Sequence, residues 1–167
     1  MAVTRNLARL SHSRLAACAA SVDELDAVCS FQAVDPMDYL DLDWAPRLLQ
    51  RVVEAAGTPA ALGVALRRAM QGDGEVNADY RDQPDSVWEH PVSSLSVGAV
   101  ANVSAALVEL PTLDVFSPWS VERAVEGLPP HDVPERAIAY LQRPFDALCA
   151  FYADAASRGL AVIMWQD

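Results

Sequence analysis

Residues 138–165 read IAYLQRPFDALCAFYADAASRGLAVIMW, in which a helical pattern passes directly into a strand pattern. In the first part, apolar side chains recur at spacings of three and four, which predicts one continuous helix with a buried stripe. The residues of this stripe are Ile138, Leu141, Phe145, Leu148, Tyr152 and Ala155. Pro144 lies inside the helix, so we expect a kink or a short break near it. Gly159 ends the helix, and the apolar run 160–165 predicts a strand buried on both faces.

The rest of the chain predicts several shorter helices and two more strands. Residues 3–9 carry Val and Leu at alternate positions, which predicts a strand near the N-terminus. A short strand is also predicted at 92–95. Helices are predicted at 11–20, 21–29, 43–57, 58–71, 96–110 and 117–127. With a strand at each end and helices between, the pattern indicates an α/β fold. We predict one helix-rich domain over residues 1–167, with a small central mixed sheet covered by helices in a three-layer α/β/α arrangement.

Polar residues mark the predicted helix starts. Ser11, Ser21, Ser96 and Ser117 each precede an apolar helical pattern and are predicted to cap it. Asp43 is predicted to cap the helix that follows it, because Pro46 then falls in the first turn, where a proline costs little.

The composition excludes several classes of protein. The formal net charge is −11, from 23 acidic against 12 basic residues, and every basic residue is arginine. Without a basic cluster, we expect no binding to nucleic acid and none to anionic membrane surfaces. The absence of lysine also excludes Schiff-base chemistry. No apolar run reaches the roughly 20 residues of a membrane span and no secretory signal is recognisable, so a cytoplasmic protein is expected.

Sequence motifs do not point to a known chemistry. The chain has neither a glycine-rich phosphate loop nor a serine elbow, so no cofactor is predicted and enzymatic activity is left open. Cys18, Cys29 and Cys149 lie among apolar residues and predict three reduced, buried thiols. The alternative is that one of them is a nucleophile, although none has a neighbouring basic group to lower its pKa.

The most acidic segment, residues 72–91, predicts a long surface loop, and loops of this length are often functional. It ends in Trp88, Glu89 and His90, where an imidazole, a carboxylate and a large aromatic ring are adjacent. His90 is therefore the best single candidate for a general base. In the alternative interpretation, Trp88 anchors the loop to the body of the protein and His90 is partly exposed.

A second group of carboxylates lies earlier in the chain. It comprises Asp35, Asp38, Asp41 and Asp43. Closely spaced carboxylates can hold Ca²⁺ or Mg²⁺, but the spacing is not that of a calcium loop and no glycine turns the backbone. A solvated loop followed by a helix cap is the favoured interpretation, and no metal site is predicted.

Three stretches carry a resemblance to a known family. They are AVTRNLARLS at 2–11, LDLD at 40–43 and, above all, FDALCAFYADAASRGLAVIMW at 145–165. These stretches resemble the YfbM-like family of bacterial proteins, a domain family of unknown function. The resemblance implies an α/β fold with a central sheet and helices on its faces. Relatives usually continue the Asp box with a Lys, a Trp and a His, whereas this chain has Trp44 without the Lys or the His, and the family supplies no agreed catalytic residues.

Two functions from different classes remain. The first is a non-enzymatic binding protein whose acidic surface, with the segment 73–90, recognises a basic protein partner, in the manner of immunity proteins against nuclease toxins. The second is a small enzyme or ligand-binding domain whose pocket uses His90 and either Asp41 or Asp43. The predicted binding residues for both functions are Trp88, Glu89, His90, Asp41, Asp43 and Trp44.

Overall fold

The computed structural model describes residues 4–84, 86–110, 114–129, 133 and 136–167. Its strands are β1 (Arg5–Leu10), β2 (Tyr39–Asp41), β3 (Gly74–Glu75), β4 (Glu89–Leu95) and β5 (Ala161–Gln166). Its helices are α1 (His12–Ala20), α2 (Val22–Cys29), α3 (Ala45–Ala55), α4 (Ala60–Gln71), α5 (Val97–Leu107), α6 (Pro118–Val125) and α7 (Ala137–Ser157). Short 3₁₀ helices span Pro36–Asp38 and Ala78–Asp82. None of the helices within these described ranges is both long and apolar enough to cross a membrane.

The five strands form one sheet in the order β2-β1-β5-β4-β3, and every neighbouring pair is antiparallel. The predicted α/β class is confirmed, as is the sheet covered by helices. The sheet is antiparallel, however, rather than mixed. A strand that is apolar at every position is typical of parallel sheets. Here β5 has this pattern because helices cover both faces of an antiparallel sheet, and its residues 161–165 are all buried.

Each face of the sheet supports its own apolar core. One core lies between the sheet and helices α3 to α7, and its strand residues include Leu7, Leu95, Val162 and Met164. The other lies under α1, α2 and the 3₁₀ helix Ala78–Asp82, and its strand residues are Ala8, Leu10, Val92, Ile163 and Trp165. Alternate residues of each strand enter opposite cores, as the pleat of a sheet requires.

The predicted helix caps are confirmed at the four serines. The hydroxyls of Ser11, Ser21, Ser96 and Ser117 each accept a hydrogen bond from the backbone N–H three residues later. The predicted short break near Pro144 is wrong, because α7 continues across the proline. Leu141 and Phe145 are buried on either side of it. This packing outweighs the hydrogen bond that the proline removes.

The predicted long loop at 72–91 is wrong in part. This segment contains β3, a 3₁₀ helix and the start of β4, and Tyr80 and Val87 within it are buried. The Tyr80 hydroxyl donates a hydrogen bond to Asp26 on α2, with an O···O distance of 2.9 Å. Isolated apolar side chains among charged ones produce no periodic pattern, but these two are part of the second core. The segment is therefore held against the body of the protein.

Candidate functional site

A cleft of about 760 Å³ opens at one end of the sheet, beside α3 and α7. Ligand sites in proteins usually occupy roughly 300–1,000 Å³, so the cleft has the size of a small-molecule site. Its charged and aromatic lining residues are Arg5, Asp43, Trp44, Arg47, Arg51, Glu89 and Tyr140. Gln50, Gln71 and Gln166 add amide groups, and Pro46, Leu48, Met70, Leu128 and Val133 are apolar.

The floor of the cleft is a polar row across the three central strands. In the sheet register, Arg5 on β1 and Glu89 on β4 both lie opposite Gln166 on β5. The Arg5 guanidinium donates a hydrogen bond to the Gln166 side-chain oxygen at 2.8 Å. Burial lowers the pKa of Arg5 and the nearby Glu89 carboxylate raises it. An arginine still keeps its proton at neutral pH, so the floor of the cleft carries a fixed cation.

The wall of the cleft is the start of α3. Leu42 donates its backbone N–H to the Arg5 carbonyl at 2.8 Å, and Arg5 donates its own to the Asp43 carbonyl at 3.3 Å. These bonds hold the start of the helix beside β1. Trp44 stands at the N-cap position without a side-chain capping bond, and its indole is 57% exposed at the edge of the cleft.

Asp43 does not cap α3, and that prediction is wrong. Its backbone is in the left-handed region, at φ 52°, whereas a capping residue is normally extended. Its carboxylate instead accepts a hydrogen bond from the Tyr140 hydroxyl of α7 at 3.0 Å, and its N–H donates to the Asp41 side chain at 2.7 Å. Burial, together with the bond to Asp43, raises the pKa of Tyr140 to about 12. The phenol is therefore protonated at neutral pH and acts as a donor.

The arginines of the cleft form no ion pairs among the described residues. Arg47 is exposed and has neither a hydrogen bond nor an ion pair there. Arg51 donates to the backbone carbonyl of Glu126 at 2.8 Å, which is a neutral acceptor. Within the described ranges, the arginines that form ion pairs lie elsewhere, and they are Arg9, Arg14, Arg68, Arg81 and Arg158. No described carboxylate therefore forms an ion pair with the arginines of the cleft.

His90 lies in a smaller recess of about 240 Å³, which shares Arg5, Glu89 and two glutamines with the cleft. Its Nε2 lies 3.0 Å from the Ser86 hydroxyl, and its ring packs edge-on against Tyr80 with a centroid distance of 5.8 Å. Over the described ranges, no carboxylate contacts the imidazole to orient it. The general-base assignment therefore has no support from the contacts of His90 and stays a prediction.

The six predicted binding residues are divided by the fold. Asp43, Trp44 and Glu89 line the main cleft and His90 lines the recess, while Asp41 and Trp88 line neither. Trp88 is 67% exposed, so it does not anchor the segment 72–91; Tyr80 and Val87 do so. The part of the chain that the structure describes places no three His, Cys, Asp or Glu side chains where they could hold a metal ion.

Sequence reasoning missed the basic and donor groups of the cleft, which are Arg5, Arg47, Arg51, Tyr140 and Gln166. Residue type is their only signal in the sequence. It does not single out the three arginines of the cleft, because the chain has twelve arginines. Arg5 is the first residue of β1, whereas the predicted strand begins at residue 3, so the sequence did not place it at the end of the sheet.

Comparison with known proteins informs the fold. No protein-family model and no curated protein matches this sequence. The structure matches the crystal structure of YfbM from Escherichia coli, a protein of unknown function, with a TM-score of 0.61 and 15% sequence identity. The match covers 96% of this chain and 98% of that one. The chain has a YfbM-like fold. The resemblance based on the two ends of the sequence and the Asp box at 40–43 is thus confirmed at the level of the fold, and the properties of the cleft follow from its own residues.

Proposed function

We propose that this YfbM-like protein binds a small polar molecule in the cleft beside α3 and α7. The observation that carries the proposal is the convergence of Arg5, Trp44, Glu89 and Tyr140, from four separate parts of the fold, on one concave site. Ligand sites combine a concave surface with a few converging polar groups, and this cleft has both properties.

Two features of the cleft favour binding over a purely structural role. The exposed indole of Trp44 offers a flat apolar face beside charged groups, and aromatic side chains of this kind contribute strongly to recognition. Asp43 is held in a left-handed backbone conformation, which is uncommon outside glycine and costs some free energy even in aspartate, and its carboxylate is fixed at the edge of the cleft. Its bonds to Tyr140 and Asp41 compensate for part of this cost.

Binding alone is proposed, without a reaction. The Asp43 carboxylate accepts a hydrogen bond from Tyr140, and His90 faces the recess with Ser86 as its partner. Asp43 lies beside the Asp41 carboxylate and His90 beside the Ser86 hydroxyl. No reaction is assigned to either pair, because no third group among the described residues orients the His90 imidazole.

Tryptophan fluorescence tests the proposal, because Trp44 and Trp119 are matched in exposure at 57% and 58% but only Trp44 lines the cleft. We would titrate the wild type, Trp44→Phe and Trp119→Phe with a panel of small anionic, cationic and neutral metabolites. A cleft ligand should produce a saturable change in emission in the wild type and Trp119→Phe, and much less change in Trp44→Phe. A panel in which every response is the same in both variants would contradict the proposal.

A second candidate function is recognition of a basic protein partner, and the exposure of Trp88 favours it. In the acidic segment, Asp73 and Glu75 are already paired with Arg68 and Arg81. The surface available to a partner is therefore centred on Trp88 with the exposed Asp79 and Asp82. Affinity capture from a bacterial lysate at low and high salt, with Trp88→Ser as the comparison, tests this function. Capture of a basic protein that is lost at high salt and with Trp88→Ser would support it, and equal capture by the variant would contradict it.

A further inference from the structure

We infer that the ligand of the cleft is an anion carrying a phosphate or carboxylate group, and that Arg47 is its main charged contact. The inference rests on the proposed function, because it specifies the chemical class of ligand for the same cleft.

The local charge of the cleft is opposite in sign to that of the chain. The whole chain carries a formal net charge of −11, yet the described lining of the cleft has three guanidinium groups and two carboxylates. The site is therefore locally positive on a strongly negative molecule. A cationic ligand would be repelled by this excess of positive charge, whereas an anionic ligand would be attracted to it.

The arginines of the cleft have unused capacity to bind an anion. Arg5 is bound to the neutral amide of Gln166, Arg51 to a neutral backbone carbonyl, and Arg47 to nothing among the residues described. The chain contains 23 acidic residues, so carboxylate partners are abundant, and five arginines outside the cleft are paired with them. A guanidinium presents a planar fork of donors that matches a carboxylate or a phosphate.

Arg47 and Arg51 are arranged to act on the same ligand. The two residues are four positions apart on α3 and therefore lie on the same face of the helix, one turn apart. Both line the cleft. Arg51 is half-buried and held by its backbone contact, while Arg47 is exposed and free to move onto a ligand. We therefore assign the main contact to Arg47 and a supporting one to Arg51.

The carboxylates of the cleft do not cancel this excess. Asp43 is turned toward the Tyr140 hydroxyl, and the charge of Glu89 acts on Arg5. Both are thus engaged with groups of the protein, and Arg47 remains without a carboxylate partner among the residues that the structure describes.

Calorimetric titration with defined anions tests the inference. The probes are inorganic phosphate, pyrophosphate and malonate, with ethylenediamine as a small cation, so the phosphate and carboxylate arms are distinguished. The variants are Arg47→Gln and Arg67→Gln; Arg67 is exposed on α4, outside the cleft, and its substitution changes the net charge equally. We expect at least one anion to bind saturably to the wild type and Arg67→Gln, with about tenfold or greater weakening in Arg47→Gln. Ethylenediamine should not bind.

Three results would overturn the inference. They are equal weakening in both variants, unchanged affinity in Arg47→Gln, and failure of all three anions to bind the wild type. Trp44 emission distinguishes a failure of the anion inference from a failure of the proposed ligand binding in the cleft. If neutral or cationic metabolites change Trp44 emission and Arg47→Gln binds them normally, the cleft is a binding site but not for anions. Thermal unfolding of Arg47→Gln, which should match the wild type, shows that the variant is folded.

Discussion

The hydroxyl of Tyr140 on α7 donates a hydrogen bond to the carboxylate of Asp43, across 3.0 Å and 97 positions of sequence. The bond ties the last helix to the start of α3 at the edge of the cleft. Because burial and this bond raise the pKa of Tyr140 to about 12, the phenol remains a donor throughout the neutral range.

Removing this bond should have a modest and pH-dependent effect. The folded pKa lies above the roughly 10 of an unfolded tyrosine, so the contribution of Tyr140 is fully present below about pH 10 and is lost as the pH rises through 12. We expect Tyr140→Phe to lower the free energy of unfolding by about 0.5–1.5 kcal/mol at pH 7. We expect it also to remove one high-pH phenol from the ultraviolet titration. An identical phenolate titration for the variant and the wild type up to pH 12 would contradict the assignment.

Asp43→Asn is the companion variant for this bond. It keeps the shape of the side chain but removes the charge that favours the protonated phenol. The pKa of Tyr140 should therefore fall, while burial still holds it above its ordinary value.

Arg9 should contribute more to stability than its neighbour Arg158. The Arg9 side chain is 9% exposed, its Nε lies 2.9 Å from Asp38, it also pairs with Asp154, and its guanidinium lies 4.6 Å above the Phe151 ring. We expect Arg9→Ala to lower the free energy of unfolding by roughly 3 kcal/mol, measured by urea denaturation. Arg158 binds the same two carboxylates but is 45% exposed, so Arg158→Ala should cost less than about 1 kcal/mol. Equal losses would show that burial of Arg9 is not the deciding factor.

Gly72 and Gly63 should respond in opposite directions to substitution by alanine. Gly72 ends α4 at φ 72° and ψ −174°, a region almost confined to glycine, and an added Cβ would lie 2.9 Å from the Ser93 hydroxyl and 3.0 Å from the Ser94 nitrogen. We expect Gly72→Ala to destabilise the protein by about 2 kcal/mol or more. Gly63 lies inside α4 with open space around its Cβ position, so Gly63→Ala should stabilise it by about 0.5–1 kcal/mol. Thermal melts of both variants measure the difference, and a stabilising Gly72→Ala would contradict this reading.

The three cysteines should be poorly reactive in the folded protein. Cys18 and Cys29 are buried and Cys149 is half-buried, and burial raises the pKa of each thiol, to about 11 for Cys149. We expect slow modification of Cys149 by a thiol reagent at pH 8, and modification of the other two only after unfolding. Cys149→Ser should abolish the slow phase. A thiol that reacts faster than free cysteine would revive the alternative in which one of them is a nucleophile.

Local signals predicted the helices well. Ser11, Ser21, Ser96 and Ser117 cap helices because a serine hydroxyl needs only a backbone N–H three residues away. The three-residue strand β2 and the two-residue strand β3 have no such local signal. They are strands only because β1 and β4, distant in sequence, offer edges for pairing. The antiparallel direction of the sheet is likewise a property of the tertiary structure.

The candidate site could be predicted only in part. Asp43, Trp44 and Glu89 stand out by residue type near predicted element boundaries, and the fold brings them together. Arg47 does not stand out, since its importance depends on which arginines find carboxylate partners in the folded chain. Which arginines form ion pairs is decided by distances in the folded protein, and no sequence pattern encodes these distances.

The position of β5 has a consequence for biosynthesis. β5 follows the other four described strands in sequence, yet it lies between β1 and β4. While only residues 1–160 have been synthesised, β1 and β4 lack the strand that joins them, and each exposes an unpaired edge. Such edges can pair with other chains, so the nascent protein is vulnerable to aggregation until residues 161–166 emerge from the ribosome. Translation that stops just before residue 161 should therefore yield a substrate for chaperones rather than a native sheet.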